Sequence, residues 1–507
     1  MYKENALPQS IDRWRIVAEI QTESPLHVGD GDRIRISTRD CARESLDDAD
    51  PEYASIFTGL NGKPYLPATS IKGALRAWAT AHGLDEVLIR EVFGNQDRGG
   101  AVTFHDAPLK SVTPPEDPKY RFWWGTRCTA LSPQVVIDPV TRSAQESLLY
   151  YVEYVPEGAV FELTLTAQNT TEPQRGLLIY VLENAFGSEG RPARLGSGVA
   201  NGWGKMSLAK WDGATLDAAA WMKDKPRDWR LALRPISAAQ KTEWSSWTPK
   251  SEKSFAGDAV RLRLTLDFSG AMLVNDPTRR MKGDPDGAGA VGHCTIRKED
   301  GTVYLPAESV RGAFRAQARR IWQTLAWDNH HQNAKTGNQN AVRKDDQKKL
   351  AGFFKLFGAT GWRAPIEVED FRLVEVEDEK RPQEFVAIDR FTGGVSGPKK
   401  FKAVALWKPK FVGDFTVRTD RLEAASAGSW VWLLLAFTLR DWMEGDGSIG
   451  FGRSKNYGGL KAKVEVIGST PEAAVLRGVL GRDGGVLNGA ELVNWVRSLK
   501  AAIGEVA

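Results

Sequence analysis

Apolar and polar residues alternate near the start of the chain, and the same alternation returns in its second half. Residues 13–24 (RWRIVAEIQTES) and 260–270 (VRLRLTLDFSG) have a period of two, which predicts half-buried strands. Residues 161–168 predict a further strand, and the apolar segment 175–187 predicts a helix. The apolar run at 430–439 is too short to cross a bilayer and predicts a buried helix. The pattern therefore predicts mixed α and β structure.

A series of motifs occurs twice along the chain, in the same order. Residues 64–76 read PYLPATSIKGALR and residues 303–315 read VYLPAESVRGAFR, each a strand end followed by Pro, a Ser-x-Lys/Arg-Gly turn and a basic helix start. Three more pairs follow in the same order: Phe93-Gly94 with Phe357-Gly358, VVIDPVT (135–141) with VAIDRFT (386–392), and LGSGVANGWGK (195–205) with IGFGRSKNYGG (449–459). Ordered self-similarity at this spacing indicates duplicated domains rather than a short-period solenoid.

The chain of 507 residues is long enough for two to three domains. We expect a first repeat domain at 1–210, a partly structured linker at 211–256, a second repeat domain at 257–466 and a helical tail at 467–507. The polar segment NHHQNAKTGNQN (329–340) is the obvious insertion in repeat two. The order of strands and helices fits a split β-α-β plan with an antiparallel sheet.

The net charge, the cysteine spacing and the first residues of the sequence limit the classes of function to be considered. The formal net charge of +4 is too balanced for a histone-like binder, so any nucleic-acid surface has to be local. Cys41, Cys128 and Cys294 lack the CxxC spacing of a zinc knuckle. No hydrophobic export signal opens the chain, so we expect a cytoplasmic protein with no membrane partner.

The two glycine-rich loops carry the strongest local chemistry. Glycine lets the backbone approach a partner closely, exposed amides can cradle phosphate, and nearby cations can neutralise a sugar-phosphate backbone. A single copy would favour an ordinary glycine-rich turn, but two copies, each after an apolar helix, favour binding. The candidate residues are Gly196, Gly198, Gly202 and Lys205 in repeat one, and Gly450, Gly452, Arg453, Ser454 and Lys455 in repeat two.

The Ser-x-Lys/Arg-Gly turns form the second candidate site. Helix starts attract phosphate through their unpaired amides and the helix dipole, and a spacing of four residues places two cations on one helix face. Ser70 could also cap its helix. The alternative for an isolated copy is a solvated helix face. The candidate RNA-binding residues are Ser70, Lys72 and Arg76 in repeat one, and Ser309, Arg311 and Arg315 in repeat two.

Carboxylates cluster after the first strand of each repeat. A carboxylate near an RNA phosphate could hold Mg²⁺ or orient a ribose 2′-OH, although per residue a solvated loop is the more ordinary explanation. The acidic residues of repeat one are Asp30, Asp32, Asp40, Asp47, Asp48 and Asp50. The matching region of repeat two holds Asp276, Asp284 and Asp286, with His293 just beyond.

Together these motifs resemble the RAMP superfamily, specifically the backbone subunits of type III CRISPR interference complexes, which serve antiviral defense. The residues that carry the resemblance are LHVGDGD (26–32), the PYLPATSIKGALR segment, VFG (92–94), the two ID-x-x-T segments and the two glycine-rich loops. Two copies in one chain resemble the fused double-backbone subunits of type III-D-like systems. The resemblance implies an α+β protein of two tandem ferredoxin-like (RRM-like) domains, each with inserted loops and a β-hairpin thumb.

The resemblance also implies a function. Such subunits line up along a CRISPR guide RNA beside other subunits of the effector complex, and the thumb interrupts the duplex of guide and target RNA. Many relatives cut the target with an Asp in the loop after strand one and Mg²⁺ (or Mn²⁺). That position maps near Ala54 in repeat one and near Gly292 in repeat two, which leaves the activity of repeat two open. The candidate catalytic residues are Asp40, Asp48 or Asp50 in repeat one and Asp286 in repeat two.

Three functions remain open at this stage. The chain is a guide-RNA-binding subunit that also acts as a metal-dependent endoribonuclease, or a purely structural backbone, or a guide-processing ribonuclease of the same superfamily. A guide-processing ribonuclease would need a catalytic His or Tyr near the RNA, and His27 is the only early candidate. Duplication favours a scaffold over a processing enzyme.

Overall fold

The computed structural model describes most of the chain and divides it into two compact units. Unit one is Met1–Val136, Gln145–Val199 and Trp203–Phe255, and unit two is Ile137–Ala144, Ala200–Gly202 and Ala256–Ala507. The described residues are 13–35, 52–115, 123–138, 144–187, 191–217, 221–222, 228–250, 258–276, 292–325, 352–359, 361–424, 430–468, 470–480, 493–494 and 496–501. Among them, no helix is both long and apolar enough to cross a membrane.

The elements of each repeat follow one another in the same order. In the first part of the chain they are β1 (Arg13–Thr22), β2 (Gly29–Arg35), β3 (Glu52–Ile56), β4 (Tyr65–Leu66), α1 (Ala68–Ala81), α2 (Glu86–Phe93), β5 (Val102–Phe104), β6 (Ala107–Ser111), β7 (Ala130–Ile137), β8 (Ala144–Tyr154), β9 (Val160–Gln168), α3 (Glu172–Ala185), β10 (Met206–Leu216), β11 (Leu233–Pro235) and α4 (Ala238–Ser245).

The second part repeats this series with a longer helix and a longer hairpin. Its elements are β12 (Ala259–Phe268), β13 (Ala271–Met272), β14 (His293–Cys294), β15 (Tyr304–Leu305), α5 (Ala307–Leu325), α6 (Gly352–Phe357), β16 (Ile366–Val368), β17 (Phe371–Glu375), β18 (Asp378–Ile388), β19 (Val395–Trp407), β20 (Lys410–Arg418), α7 (Thr419–Ala424), α8 (Trp430–Glu444), β21 (Gly447–Ser448), β22 (Gly459–Ile467) and α9 (Pro471–Leu480). The segment 329–340, predicted as an insertion, lies outside the described residues.

The principal sheets of the two units share the order of five strands and differ in the sixth, at one edge. In unit one the strands lie in the order β11-β10-β1-β9-β6-β4, and in unit two in the order β15-β17-β20-β12-β22-β21. The opening strand of each repeat therefore lies between the strand before the second long helix and the strand after it, and both pairings are antiparallel. This is the arrangement of a β-α-β-β-α-β unit. The prediction of two tandem ferredoxin-like domains is confirmed.

The alternation in the opening strands places every second side chain in a core. Trp14 and Ile16 on β1, like Leu262 and Leu264 on β12, are buried against the helices of their own unit. The two cores form separate clusters, one per unit. The apolar run predicted as a buried helix forms α8, which lies in the core of unit two and is buried along most of its length.

Each repeat contains a β-hairpin that belongs to a second, smaller sheet. Strands β7 and β8 form the first within a small sheet ordered β2-β3-β8-β7, and β18 and β19 form the second within a sheet ordered β13-β19-β14. The sequence by itself suggests the segment GGVSGPKK (393–400) as the tip of the second hairpin, but the tip lies earlier in the chain. The turn lies at residues 389–394, because the Asp389 carboxylate accepts hydrogen bonds from the amides of Phe391 and Thr392 at 2.8 and 3.0 Å. Residues from Val395 onward already form β19.

The segment predicted as a partly structured linker contains regular elements. The strand β10 extends to Leu216, and β11 and α4 follow it. Trp244 on α4 is buried, and its ring lies 6.1 Å from that of Trp14 and 6.4 Å from that of Trp211. Much of this segment therefore packs on the core of unit one, while the domain limits drawn from sequence stay predictions.

Candidate nucleic-acid interface

The two glycine-rich loops have the same backbone conformation. Each lies between the second long helix of its repeat and the strand β10 or β22, and each contains one short 3-10 turn, Val199–Asn201 or Arg453–Lys455. Four positions in each loop have positive φ angles: Gly196, Gly198, Gly202 and Gly204 in repeat one, and Gly450, Gly452, Asn456 and Gly458 in repeat two. The duplicated sequence thus produces a duplicated loop, with Asn456 in place of one glycine.

Both loops dock on the backbone that leaves the opening strand. The Ser197 amide donates to the His27 carbonyl at 2.9 Å, and the Phe451 amide donates to the Leu273 carbonyl at 2.7 Å. A Cβ atom at Gly196 would lie 2.1 Å from that His27 oxygen. These glycines therefore serve close backbone packing first. Because the flanking amides already have carbonyl partners, an anion could bind only at the apex of each loop.

The loop cations differ between the repeats. Lys205 is half-buried, and its amide donates to the Ser24 side chain at 2.9 Å. In repeat two Arg453, Ser454 and Lys455 are exposed at the apex. The apex of repeat two therefore presents charged side chains to solvent, as a phosphate-binding surface requires.

The first amides of α1 and α5 have hydrogen-bond partners that the sequence did not predict. Ser70 does not cap α1, because the helix begins at Ala68 and no side chain caps it at Pro67. Instead the Ala68 amide donates to the Asp106 carboxylate at 2.8 Å, and the Ala307 amide donates to the Asp370 carboxylate at 2.9 Å. An aspartate thus already lies at each helix start, where the sequence suggested a phosphate.

The two basic residues of each turn lie four positions apart on one helix face, and the Ser, two positions before the first of them, does not share that face. Ser70, Lys72 and Arg76 are half-buried on α1, and so are Ser309, Arg311 and Arg315 on α5. The amides of Ser70 and Ser309 each donate to the carbonyl of the preceding Pro at 3.0 Å. The basic side chains, rather than the turn amides, are therefore the binding groups that these motifs offer.

The arginines on α5 are partly buried and close to one another, and both features disfavour their charged forms. Burial, together with the neighbouring charge of Arg315, lowers the pKa of Arg311 to about 10. Burial also lowers the pKa of Arg315, with a contribution from the charge of Arg319 one turn later. Arg311 donates to the Phe357 carbonyl at 2.9 Å. Sequence reasoning omitted Arg319, although its spacing of four residues from Arg315 was the signal. A bound phosphate would relieve this repulsion.

The candidate catalytic residues lie outside the described residues. These are Asp40, Asp48, Asp50 and Asp286. Among the residues that are described, no group of three or more His, Cys, Asp or Glu side chains could hold a metal ion.

Two described aspartates lie at matched positions beside those segments. The Asp30 carboxylate accepts from the Ser55 hydroxyl at 2.6 Å and from the Asp32 amide at 2.9 Å. Asp276 lies at the equivalent position after β12 and is buried, and its amide donates to the Cys294 carbonyl at 2.9 Å. Each repeat thus keeps one carboxylate close to the strand that leads to its YLP segment.

A buried ion pair supports the hairpin of unit one. Glu153 is fully buried, and its carboxylate accepts from Arg127 Nε and Nη2 at 2.8 Å each, from the Thr129 hydroxyl at 2.7 Å and from the Ile56 amide at 3.1 Å. Burial lowers the pKa of Arg127, but the hydrogen bonds to Glu153 and its negative charge, with smaller contributions from Tyr53 and Asp30, raise the pKa overall. No motif in the sequence pointed to this pair.

The backbone of Glu153 also orients the side chain of His27. Its imidazole is buried, and Nδ1 lies 2.6 Å from the Glu153 carbonyl oxygen. A Cβ atom at Gly29 would lie 2.7 Å from Nε2, so the imidazole is also packed tightly against backbone. His27 therefore occupies a structural position under the glycine-rich loop.

The hairpin tips expose apolar side chains. In the first hairpin these are Val135, Val136 and Ile137 on β7. In the second, Phe391 is fully exposed at the turn, and Val386, Ile388 and Val395 beside it are also exposed. Exposed aliphatic and aromatic groups on a projecting hairpin can insert between stacked bases.

Comparison with known proteins gives a family and a fold. A family model described as RAMP superfamily matches residues 19–207 and 291–461. No curated protein matches the chain. One matching solved structure is described as a cryo-EM structure of the type III-B Cmr-beta bound to cognate target RNA. Its identity is 16%, its TM-score is 0.27, and the match covers 40% of this chain and 61% of the other. Each region matched by the family model contains one Ser-x-Lys/Arg-Gly turn and one glycine-rich loop.

Proposed function

This chain belongs to the RAMP superfamily, and on that premise we propose that it is a guide-RNA-binding backbone subunit of a type III CRISPR interference complex. The observation that carries the proposal is the duplication of one basic site, with a basic helix face and a glycine-rich loop in both units. Two copies in one chain suit a subunit that spans two successive segments of one RNA, as in type III-D-like fused subunits.

The geometry suggests how RNA would be held. The basic faces of α1 and α5 and the loop apex at 453–455 offer cations to the ribose-phosphate backbone, which is sequence-independent binding. Base pairing between guide and target would supply the sequence specificity, while the protein recognises the shape of an A-form duplex. The exposed tip around Phe391 would act as the wedge that interrupts pairing. The expected partners are the guide RNA, the target RNA and neighbouring subunits.

We propose in addition that repeat one cleaves the target RNA with Mg²⁺ or Mn²⁺. The metal would neutralise charge on the reacting phosphate, and a loop carboxylate would help to hold it. The candidates are Asp40, Asp48 and Asp50, with Asp286 as the weaker candidate in repeat two. Asp30, which accepts the Ser55 hydroxyl at 2.6 Å, fixes the neighbouring backbone in unit one.

A non-catalytic backbone subunit is the second candidate, and one observation favours it for repeat two. The cleavage position there maps beside His293, whose pKa is lowered by burial and by the charge of Lys455. Its ring packs against Phe401 and Phe451 at 5.3 and 5.1 Å. An apolar site with a neighbouring ammonium does not suit a divalent cation.

The experiment measures cleavage and binding separately on the assembled complex. A complementary RNA is incubated with Mg²⁺, or with excess EDTA, and the products are resolved on a gel. Asp40→Ala, Asp48→Ala, Asp50→Ala and Asp286→Ala should each leave binding intact, and one of the repeat-one variants should remove one cut band. If every band survives all four changes, the structural function is favoured.

Binding tests the function that both candidates share. The double variant Lys72→Ala with Lys205→Ala should weaken RNA binding and flatten its salt dependence, because two phosphate contacts are lost. Lys463→Ala, at an exposed position on β22, is the matched control. RNA that co-purifies with the wild-type complex identifies the guide. Unchanged assembly on RNA in the double variant would count against the proposed binding sites.

A further inference from the structure

One lysine at the apex of the second glycine-rich loop is surrounded by aromatic rings. The Nζ atom of Lys455 lies 4.9 Å from the ring centre of Phe451, 5.0 Å from that of Phe385 and 5.1 Å from that of Phe401. Contacts of an ammonium with a ring face at this distance are favourable cation-π interactions. Lys455 is nevertheless an exposed residue. The ammonium is therefore held in place while the side chain still contacts solvent.

The rings are themselves held in position by three separate elements. Phe385 lies on β18 and Phe401 on β19, and the two rings stack at 4.9 Å and 19°. Phe451 lies in the loop and stacks on His293 at 5.1 Å and 28°. Tyr457 packs against both Phe385 and Phe451, and its hydroxyl donates to Gln383. Hairpin, loop and β14 thus build one cluster around Lys455.

The positions of repeat one that match Lys455 and its three rings hold other residues, although the loop has the same backbone. The positions matched by the duplicated motifs hold Asn201 in place of Lys455, Ser197 in place of Phe451, Gln134 in place of Phe385 and Tyr150 in place of Phe401. The lysine and its full set of rings therefore occur together in one repeat only. If the rings served only to pack the hairpin against the loop, they would not require a lysine among them.

We propose that Phe385, Phe401 and Phe451 are positioning residues that preorganise Lys455 as a phosphate-binding cation, a device that only repeat two possesses. A free lysine loses considerable rotamer entropy when it is fixed on a ligand. The three rings restrict the lysine side chain before binding, so less entropy is lost when a phosphate binds. The ammonium keeps its N–H donors for phosphate oxygens. The proposal rests on the proposed function, because the ligand is the backbone of the bound RNA.

The test is a double-mutant cycle on the full chain with a fluorescein-labelled single-stranded RNA of mixed sequence. Phe451→Leu should weaken binding by about two- to fivefold, the range expected for a cation-π contact at an exposed site. Lys455→Ala should weaken binding more and reduce the slope of log affinity against log salt by about one. In the Lys455→Ala background, Phe451→Leu should have no further effect, because the group that it positions is gone.

Two further variants separate positioning from packing. Phe451→Tyr keeps a ring and should restore the wild-type affinity only while Lys455 is present, whereas a merely packing role would give the same difference between Tyr and Leu in the Lys455→Ala background. Phe385→Leu repeats the cycle from the hairpin side if Phe451→Leu lowers the melting temperature, and Lys463→Ala controls for the loss of one exposed charge. Equal effects of the ring changes with and without Lys455 would overturn the proposal. If Lys72→Ala and Lys205→Ala also leave RNA binding unchanged, the proposed function itself fails.

Discussion

At the scale of single residues, the pair Glu153–Arg127 shows how a buried charge is made tolerable. All of the hydrogen bonds described for the Glu153 carboxylate come from donors within unit one, two of them from one guanidinium. Removal of one partner from a buried pair leaves the other uncompensated, which is the costly event. Residues so far apart in sequence carry no motif, so only the folded chain reveals the pair.

We expect Glu153→Gln to lower the free energy of unfolding of unit one by about 3 kcal/mol, because the guanidinium of Arg127 would then face a neutral amide. Urea denaturation followed by hydrogen exchange in β3 and β8 measures the change. Glu162→Gln is the matched control: its carboxylate lies 3.7 Å from Lys110 Nζ at a solvent-exposed site, so less than about 0.5 kcal/mol should be lost. Equal losses in the two variants would contradict the assignment of Glu153 as a buried structural charge.

At the scale of elements, the glycine-rich loop is fixed more by sterics than by ligand chemistry. Gly458 has a φ of 71°, and a Cβ atom there would lie 2.0 Å from the Ile449 carbonyl oxygen. Gly204 has the same relation to Leu195 in repeat one, also at 2.0 Å. Both the left-handed conformation and the backbone contact exclude a side chain at these two positions.

Gly458→Ala should therefore destabilise unit two and also weaken RNA binding, since the loop must move to admit the methyl group. Gly301→Ala is the control, because Gly301 has a φ of 79° but no atom lies within 4 Å of the position that an added methyl group would take. The control should lose about 1 to 2 kcal/mol from conformational strain alone. Thermal unfolding and RNA titration distinguish the two, and similar behaviour of both variants would show that the loop tolerates displacement.

The sequence predicted elements well where one periodic pattern dominated. Strands β1 and β12 and helix α8 were recognised because their apolar period matches their burial. The sequence failed where distant residues decide the local structure. Asp106, not Ser70, satisfies the first amide of α1, and Asp389 fixes the hairpin turn earlier than the glycines at 393–394 suggested. The ring set around Lys455 was missed because its members come from separate elements.

At the scale of the whole molecule, duplication has preserved backbone geometry and changed side chains. The two principal sheets share the order of five strands and the two loops agree in the positions of their positive φ angles, yet the buried ion pair occurs in unit one and the lysine with its full ring set in unit two. This division indicates that the copies have kept their backbone geometry while their hairpin bases have diverged. Each copy also has its own hydrophobic core.

Because each unit has its own core, we expect a cavity created in one unit to destabilise mainly that unit. Leu165→Ala in unit one and Leu264→Ala in unit two each remove a fully buried side chain and should cost about 2 to 5 kcal/mol. Hydrogen exchange measured by mass spectrometry should show lost protection in β1 and β9 for the first variant and in β12 and β20 for the second. Val374→Ala, at an exposed position on β17, should change neither. Equal loss of protection in both units from either core variant would mean that the two cores unfold as one cooperative body, since a cavity confined to one core disturbs the other only through shared unfolding.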